Sequence, residues 1–95
     1  MTTRAASPDS GETVARRTLD ILRQVTGDDE VLADPELQLY TNGVLDSLGT
    51  VSLMVAFEEA FGITISPAEF DKEAWGTPGM IVADVERRLL LAQAQ

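Results

Sequence analysis

The chain has 95 residues, enough for one small domain with a modest hydrophobic core. It contains no cysteine and no histidine, which excludes disulfides, thiolate metal sites and the usual Ser-His and Cys-His catalytic pairs. The net charge is −9, and residues 28 to 73 carry eleven acidic side chains against the single lysine Lys72. An acidic middle argues against nucleic-acid binding and favours a partner with a basic surface, although it would also suit a solvated face.

Residues 1 to 10 are small and polar and contain no apolar run, so we expect a disordered leader and not a signal peptide. No apolar run approaches the roughly 20 residues that a membrane span requires. Together with the absence of cysteine, this predicts a cytoplasmic protein.

The first predicted helix runs from Gly11 to about Thr26, with Ser10 as its N-cap. Gly27 is predicted to end this helix, as a glycine just past the last helical turn commonly does. Its core-facing residues fall on one stripe at helical spacing: Val14, Thr18, Ile21, Leu22 and Val25.

Residues 28 to 46 predict a long connection, acidic at first, with Leu37, Leu39 and Val44 as its anchors in the core. The acidic residues do not follow a calcium-loop pattern, because Ala33 and Leu39 take the places of the central glycine and the terminal glutamate. We therefore expect no metal site.

The most informative segment follows this connection. Asp46 is a good N-cap residue, and the helix predicted after it runs from Ser47 to Phe61. Ser47 would then lie among the unpaired N–H groups at the positive end of a helix, a position suited to carrying a phosphate. Since no histidine can activate its hydroxyl, Ser47 is predicted to be an attachment point, and the protein is predicted not to be an enzyme.

This helix has two apolar faces when it is projected at 100° per residue. The bulkier face is assigned to the core: Leu53, Met54, Phe57, Ala60 and Phe61. The other face, called here the docking face, consists of Leu48, Val51, Val55, Glu58 and Glu59. A helix that is apolar all round is normally central to a bundle, so burial of both faces stays open. The acidic edge beside Ser47 favours a partner-docking surface.

A short third helix is predicted from the capping box Ser66-Pro67-Ala68-Glu69 to Gly76, with Trp75 as a buried packing residue. Thr77-Pro78 opens the last helix, which should end near Leu91.

The predicted fold is therefore an all-α four-helix bundle of three longer helices and one short helix. The domain is expected over residues 11 to 91, and residues 92 to 95 are expected to fray.

These residues resemble the acyl carrier protein family. The hallmark of that family is Asp-Ser-Leu at the start of the second of four helices, here Asp46, Ser47 and Leu48. Within the family, the similarity is greatest to the carriers of teichoic acid D-alanylation, in residues 46 to 51 and 70 to 78.

The resemblance implies a 4′-phosphopantetheine arm esterified to Ser47 by a phosphopantetheinyl transferase, whose metal Asp46 would help to position. It further implies an adenylate-forming ligase that loads D-alanine or another small acid as a thioester, and a downstream acyltransferase that receives it for a cell-envelope or pathway acceptor.

The expected protein is a stand-alone, monomeric carrier of a small amino acid, D-alanine first. One alternative is an acyl or aminoacyl carrier of a fatty-acyl, polyketide or nonribosomal peptide pathway. Another is a small helical adaptor that binds its partner without modification.

Overall fold

The structure, a computed structural model, describes residues 10 to 66 and 71 to 93. Its helices are α1 (Ser10–Thr26), α2 (Glu30–Ala33), α3 (Ser47–Phe61) and α4 (Pro78–Gln93), with a 3₁₀ turn at Lys72–Trp75. The described residues contain no strand, and the predicted all-α bundle with three longer helices is confirmed. α1 packs against both α3 and α4, and the core lies between these three helices.

α1 buries the predicted stripe, with Thr18 and Leu22 inaccessible to solvent and its other members partly buried. The Thr18 hydroxyl donates to the carbonyl of Val14 at 2.7 Å, so the polar group in the stripe has a partner within its own helix. Gly27 ends α1 in the left-handed conformation with φ of 73°. Its N–H donates to the Arg23 carbonyl at 2.7 Å, as expected of a C-terminal glycine.

The long connection contains one turn of helix, α2, that the sequence did not predict. A four-residue helix is too short to show a periodic pattern, and only its Val31 is buried. The predicted anchors are confirmed: Leu39 is fully buried, and Leu37 and Val44 pack against the core.

Two backbone hydrogen bonds fasten this connection to the region where α4 begins. The N–H of Leu39 donates to the Gly76 carbonyl, and the N–H of Gly79 donates to the Pro35 carbonyl, both at 2.9 Å. A Cβ at Gly79 would lie 3.1 Å from the Pro35 oxygen, so the absence of a side chain permits this close approach. The connection is therefore a fixed part of the fold.

The predicted capping box extends over residues 67 to 70, which lie outside the described part of the chain. Beyond them the short helix takes the form of a 3₁₀ turn, capped by Asp71, whose Oδ1 accepts from the Glu73 N–H at 3.0 Å. α4 then continues to Gln93, two residues past its expected end near Leu91.

Trp75 is fully buried, as predicted, and its ring meets the Phe57 ring edge-on at a centroid distance of 5.5 Å. Its indole N–H donates to Oδ2 of the buried Asp84 at 2.9 Å. Nε of Arg88 donates to the same oxygen at 2.8 Å, and Arg87 pairs with Oδ1. Burial alone would raise the pKa of Asp84, but the hydrogen bonds from Arg88, Trp75 and Arg87 outweigh it and hold the pKa below its usual value.

Candidate functional site

The site is built around the first turn of α3. Asp46 is extended, with φ of −129° and ψ of −174°, and its Oδ1 accepts from the Gly49 N–H at 2.8 Å, which confirms the predicted N-cap. Gly49 gives this cap its room, because a Cβ there would lie 3.0 Å from Cδ1 of Leu45 and 3.3 Å from Oδ1 of Asp46. Any side chain at position 49 would therefore press on the cap.

Ser47 is the first residue of α3 and is exposed. Among the described residues, no protein acceptor receives the backbone N–H of Ser47 or of Leu48. Both groups point from the positive end of the helix macrodipole, where a negative charge is stabilised. An accessible hydroxyl beside two such N–H groups fits a phosphate ester.

A chain of hydroxyl groups leads from the long connection to the same turn. The Tyr40 hydroxyl lies 2.6 Å from the Thr50 hydroxyl oxygen, and the Thr50 hydroxyl donates to the Asp46 carbonyl at 2.8 Å. The sequence reasoning missed this pair. Thr50 carried the available signal, since it is a polar residue on the core-facing side of a helix, where a hydroxyl needs a partner.

The two faces of α3 differ sharply in burial. Leu53 and Phe57 are inaccessible and Met54 is 5% exposed, which confirms the core assignment. On the docking face, Leu48 is 78% exposed, Val51 49% and Val55 50%. The alternative in which both faces are buried is thus wrong. An apolar strip begins directly beside Ser47 and lies open to solvent.

The two acidic residues of the docking face have different surroundings. Oε2 of Glu58 accepts from the Ile65 N–H at 2.9 Å, which ties the segment after α3 back to the helix. Glu59 is exposed and lines an open groove between α1 and α3 together with Arg17 and Asp20. Glu59 is therefore the member whose carboxylate is directed toward solvent and the groove.

The acidic residues of the long connection mainly shape turns. Oδ1 of Asp28 accepts from the Glu30 N–H at 2.9 Å, and Oδ1 of Asp34 accepts from the Glu36 N–H at 3.0 Å. Within residues 10 to 66 and 71 to 93, no group of three or more acidic side chains could hold a metal ion. In the same part of the chain, no helix is both long and apolar enough to cross a membrane.

Comparison with known proteins connects this geometry to a family. Residues 16 to 85 match the family model described as a phosphopantetheine attachment site. Over 73 residues, 77% of this chain and 94% of its relative, the chain is 44% identical to the D-alanyl carrier protein of Enterococcus faecalis.

Two further relatives bear the same name. The chain is 45% identical to the D-alanyl carrier protein of Bacillus velezensis over 67 residues, which covers 70% of this chain and 86% of that protein. The chain is 41% identical to the D-alanyl carrier protein of Lacticaseibacillus casei over 76 residues, which covers 80% of this chain and 94% of that protein. The prediction of a covalent 4′-phosphopantetheine group is confirmed by the family match. The chain belongs to the family of phosphopantetheine-bearing carrier proteins that includes these D-alanyl carrier proteins.

Proposed function

We propose that this protein carries D-alanine as a thioester on a 4′-phosphopantetheine arm esterified to Ser47. The observation that carries the proposal is the exposed hydroxyl of Ser47 at the capped start of α3, within a chain of this family. The arm supplies the thiol that the chain lacks, since the sequence contains no cysteine.

The chain's own part in attachment of the arm is to present one oxygen. Oγ of Ser47 would form the ester bond to the phosphorus of coenzyme A that bears the pantetheine group, while the pyrophosphate bond of coenzyme A breaks and adenosine 3′,5′-bisphosphate leaves. The Ser47 proton passes to a base of the phosphopantetheinyl transferase, because the chain has no histidine. Asp46 holds the turn through its bond to Gly49. Its carboxylate is exposed, so it can also help the transferase to position a metal ion.

The docking face is proposed to receive the partner enzymes. Leu48, Val51 and Val55 are each about half exposed or more next to Ser47, and an enzyme that covers them gains apolar contact area. We propose that these partners are the transferase, an adenylate-forming D-alanine ligase and a downstream acyltransferase. We propose that the modification and the loading take place in the cytoplasm, where coenzyme A and ATP are available.

D-alanine is the cargo that the comparisons favour. Three relatives named D-alanyl carrier protein, from different organisms, are 41 to 45% identical over most of this chain. The fatty-acyl, polyketide or nonribosomal peptide alternative has no comparable support.

Attachment is tested by intact mass after co-expression with a broad-specificity transferase. Wild type should gain the mass of one phosphopantetheine group, and Ser47→Ala should gain none. Ser52→Ala is the matched control, because Ser52 is an exposed serine on the same helix and should leave the modification intact. Modification of Ser47→Ala, or none of wild type, would contradict the proposed site.

Cargo is tested separately on purified modified protein. Incubation with a D-alanine ligase, ATP and radiolabelled D-alanine should give a label that hydroxylamine releases. Charging with a fatty acid by an acyl-activating ligase, with no charging by any amino acid, would favour the alternative pathway.

A further inference from the structure

The turn that presents Ser47 is held from behind by the long connection. The N–H groups of Val44 and Leu45 both donate to the Leu39 carbonyl, at 2.9 and 3.1 Å. Since Leu39 is itself fully buried and bonded to Gly76, the backbone that leads into Asp46 has a fixed course. Tyr40, the next residue, extends from this fixed segment to α3.

The direction of the hydrogen bonds between Tyr40 and α3 follows from counting protons. The Thr50 hydroxyl has one hydrogen and donates it to the Asp46 carbonyl at 2.8 Å. At the 2.6 Å contact, Tyr40 must therefore be the donor and Thr50 the acceptor. Burial raises the pKa of Tyr40, although the Thr50 hydrogen bond opposes it, so the phenol keeps its proton at neutral pH.

The hydrogen bonds end on the peptide group that precedes the attachment serine. The Asp46 carbonyl accepts both the N–H and the hydroxyl of Thr50, each at 2.8 Å. That carbonyl lies in one plane with the N–H and Cα of Ser47. Two donors therefore fix the plane from which the Ser47 side chain leaves the backbone.

A purely structural role would not require hydroxyl groups here. Thr50 is 6% exposed, and valine at 50 with phenylalanine at 40 would fill nearly the same volume. Replacing both partners of a buried hydrogen bond by apolar groups of the same shape is close to neutral for stability. The pair orients a peptide group, and small errors of orientation at a reacting group lower reaction rates.

We propose that Tyr40 and Thr50 are positioning residues for the modification of Ser47, acting through the peptide plane between Asp46 and Ser47. This inference rests on the proposed attachment of the arm to Ser47. Through Tyr40, the long connection helps to set the angle at which the Ser47 hydroxyl meets the transferase.

The test measures single-turnover addition of phosphopantetheine by intact mass, with transferase in excess over a range of concentrations. Tyr40→Phe and Thr50→Val should lower the maximal rate by about three- to tenfold, the effect of one lost hydrogen bond. The half-saturating transferase concentration should stay unchanged, because neither residue belongs to the docking face. The double variant should fall no further than Thr50→Val alone, since Tyr40 acts through Thr50.

Two control variants separate positioning from general loss of stability. Thr50→Ser keeps the hydroxyl and should restore the wild-type rate. Thr18→Val removes another buried hydroxyl that donates to the carbonyl four residues earlier, but in α1, and should leave the rate unchanged. Thermal unfolding followed by circular dichroism identifies any variant that does not fold. Where Thr50→Val fails to fold, Tyr40→Phe carries the test.

Wild-type maximal rates in both Tyr40→Phe and Thr50→Val would overturn the inference. An equal loss in Thr18→Val, or a change confined to the half-saturating concentration, would overturn it as well. These results are distinct from failure of the proposed function, which would appear as wild type that gains no arm or gains it away from Ser47.

Discussion

Phe57→Ala and Val51→Asp should separate the two faces of α3, because one change empties the core and the other alters an open surface. Phe57 is inaccessible to solvent and lies against both Trp75 and Phe61, at ring-centroid distances of 5.5 and 6.1 Å. Its removal eliminates these contacts and leaves a cavity, at a cost of about 3–5 kcal/mol. A folded domain has a total stability of about 5–15 kcal/mol, so this loss is a large fraction of the total and should lower the urea midpoint strongly.

Val51 is 49% exposed, so its replacement by aspartate should change the free energy of unfolding by no more than about 1 kcal/mol. The new charge would be desolvated in any complex that covers the docking face, and loading by the cognate ligase should therefore weaken. Urea unfolding followed by circular dichroism gives the stability of both variants, and radiolabel transfer gives the loading. The reasoning is refuted if Val51→Asp unfolds and Phe57→Ala keeps wild-type stability.

Three further predictions concern Asp84 in the core and Gly49 beside the N-cap of α3. Asp84→Asn should lower the free energy of unfolding, measured by urea denaturation, by about 1.5–3 kcal/mol, because the charged hydrogen bonds to Arg88 and Arg87 are lost. The fluorescence emission of Trp75 should also shift, since its indole N–H bonds to Asp84. Unchanged stability would contradict this role. Since the folded pKa of Asp84 is below its ordinary 3.8, its contribution should be complete above about pH 4 and be lost as pH falls toward the lowered pKa. Measuring the stability of wild type and of Asp84→Asn as the pH is lowered checks this direction of the pH dependence. Gly49→Ala should crowd the cap and lower the melting temperature by a few degrees, whereas Ser52→Ala should not.

Local patterns were enough to predict the parts of the fold that depend on neighbouring residues. The stripe of α1, the cap at Asp46 and the two faces of α3 each follow from spacings within one helix. The same patterns placed Ser47 at an exposed helix start. They could do so because capping and amphipathicity are set within a few residues.

The parts that sequence reasoning missed depend on residues far apart in the chain. Asp84 has arginines three and four positions later, which suggests surface pairs, yet it is buried by Trp75 from another element. Tyr40 and Thr50 meet only because the long connection returns over α3. α2 was missed for a different reason, since four residues carry no periodic signal.

The bonds between the long connection and the α4 region have a consequence for the order of events during synthesis. Leu39 is tied to Gly76 and Pro35 to Gly79, so the backbone that leads to Ser47 is secured by residues translated much later. A nascent chain that ends before these glycines already contains the serine but lacks both ties. The turn that begins α3 therefore reaches its final form only after residues 76 to 79 have been made and have folded back onto the long connection.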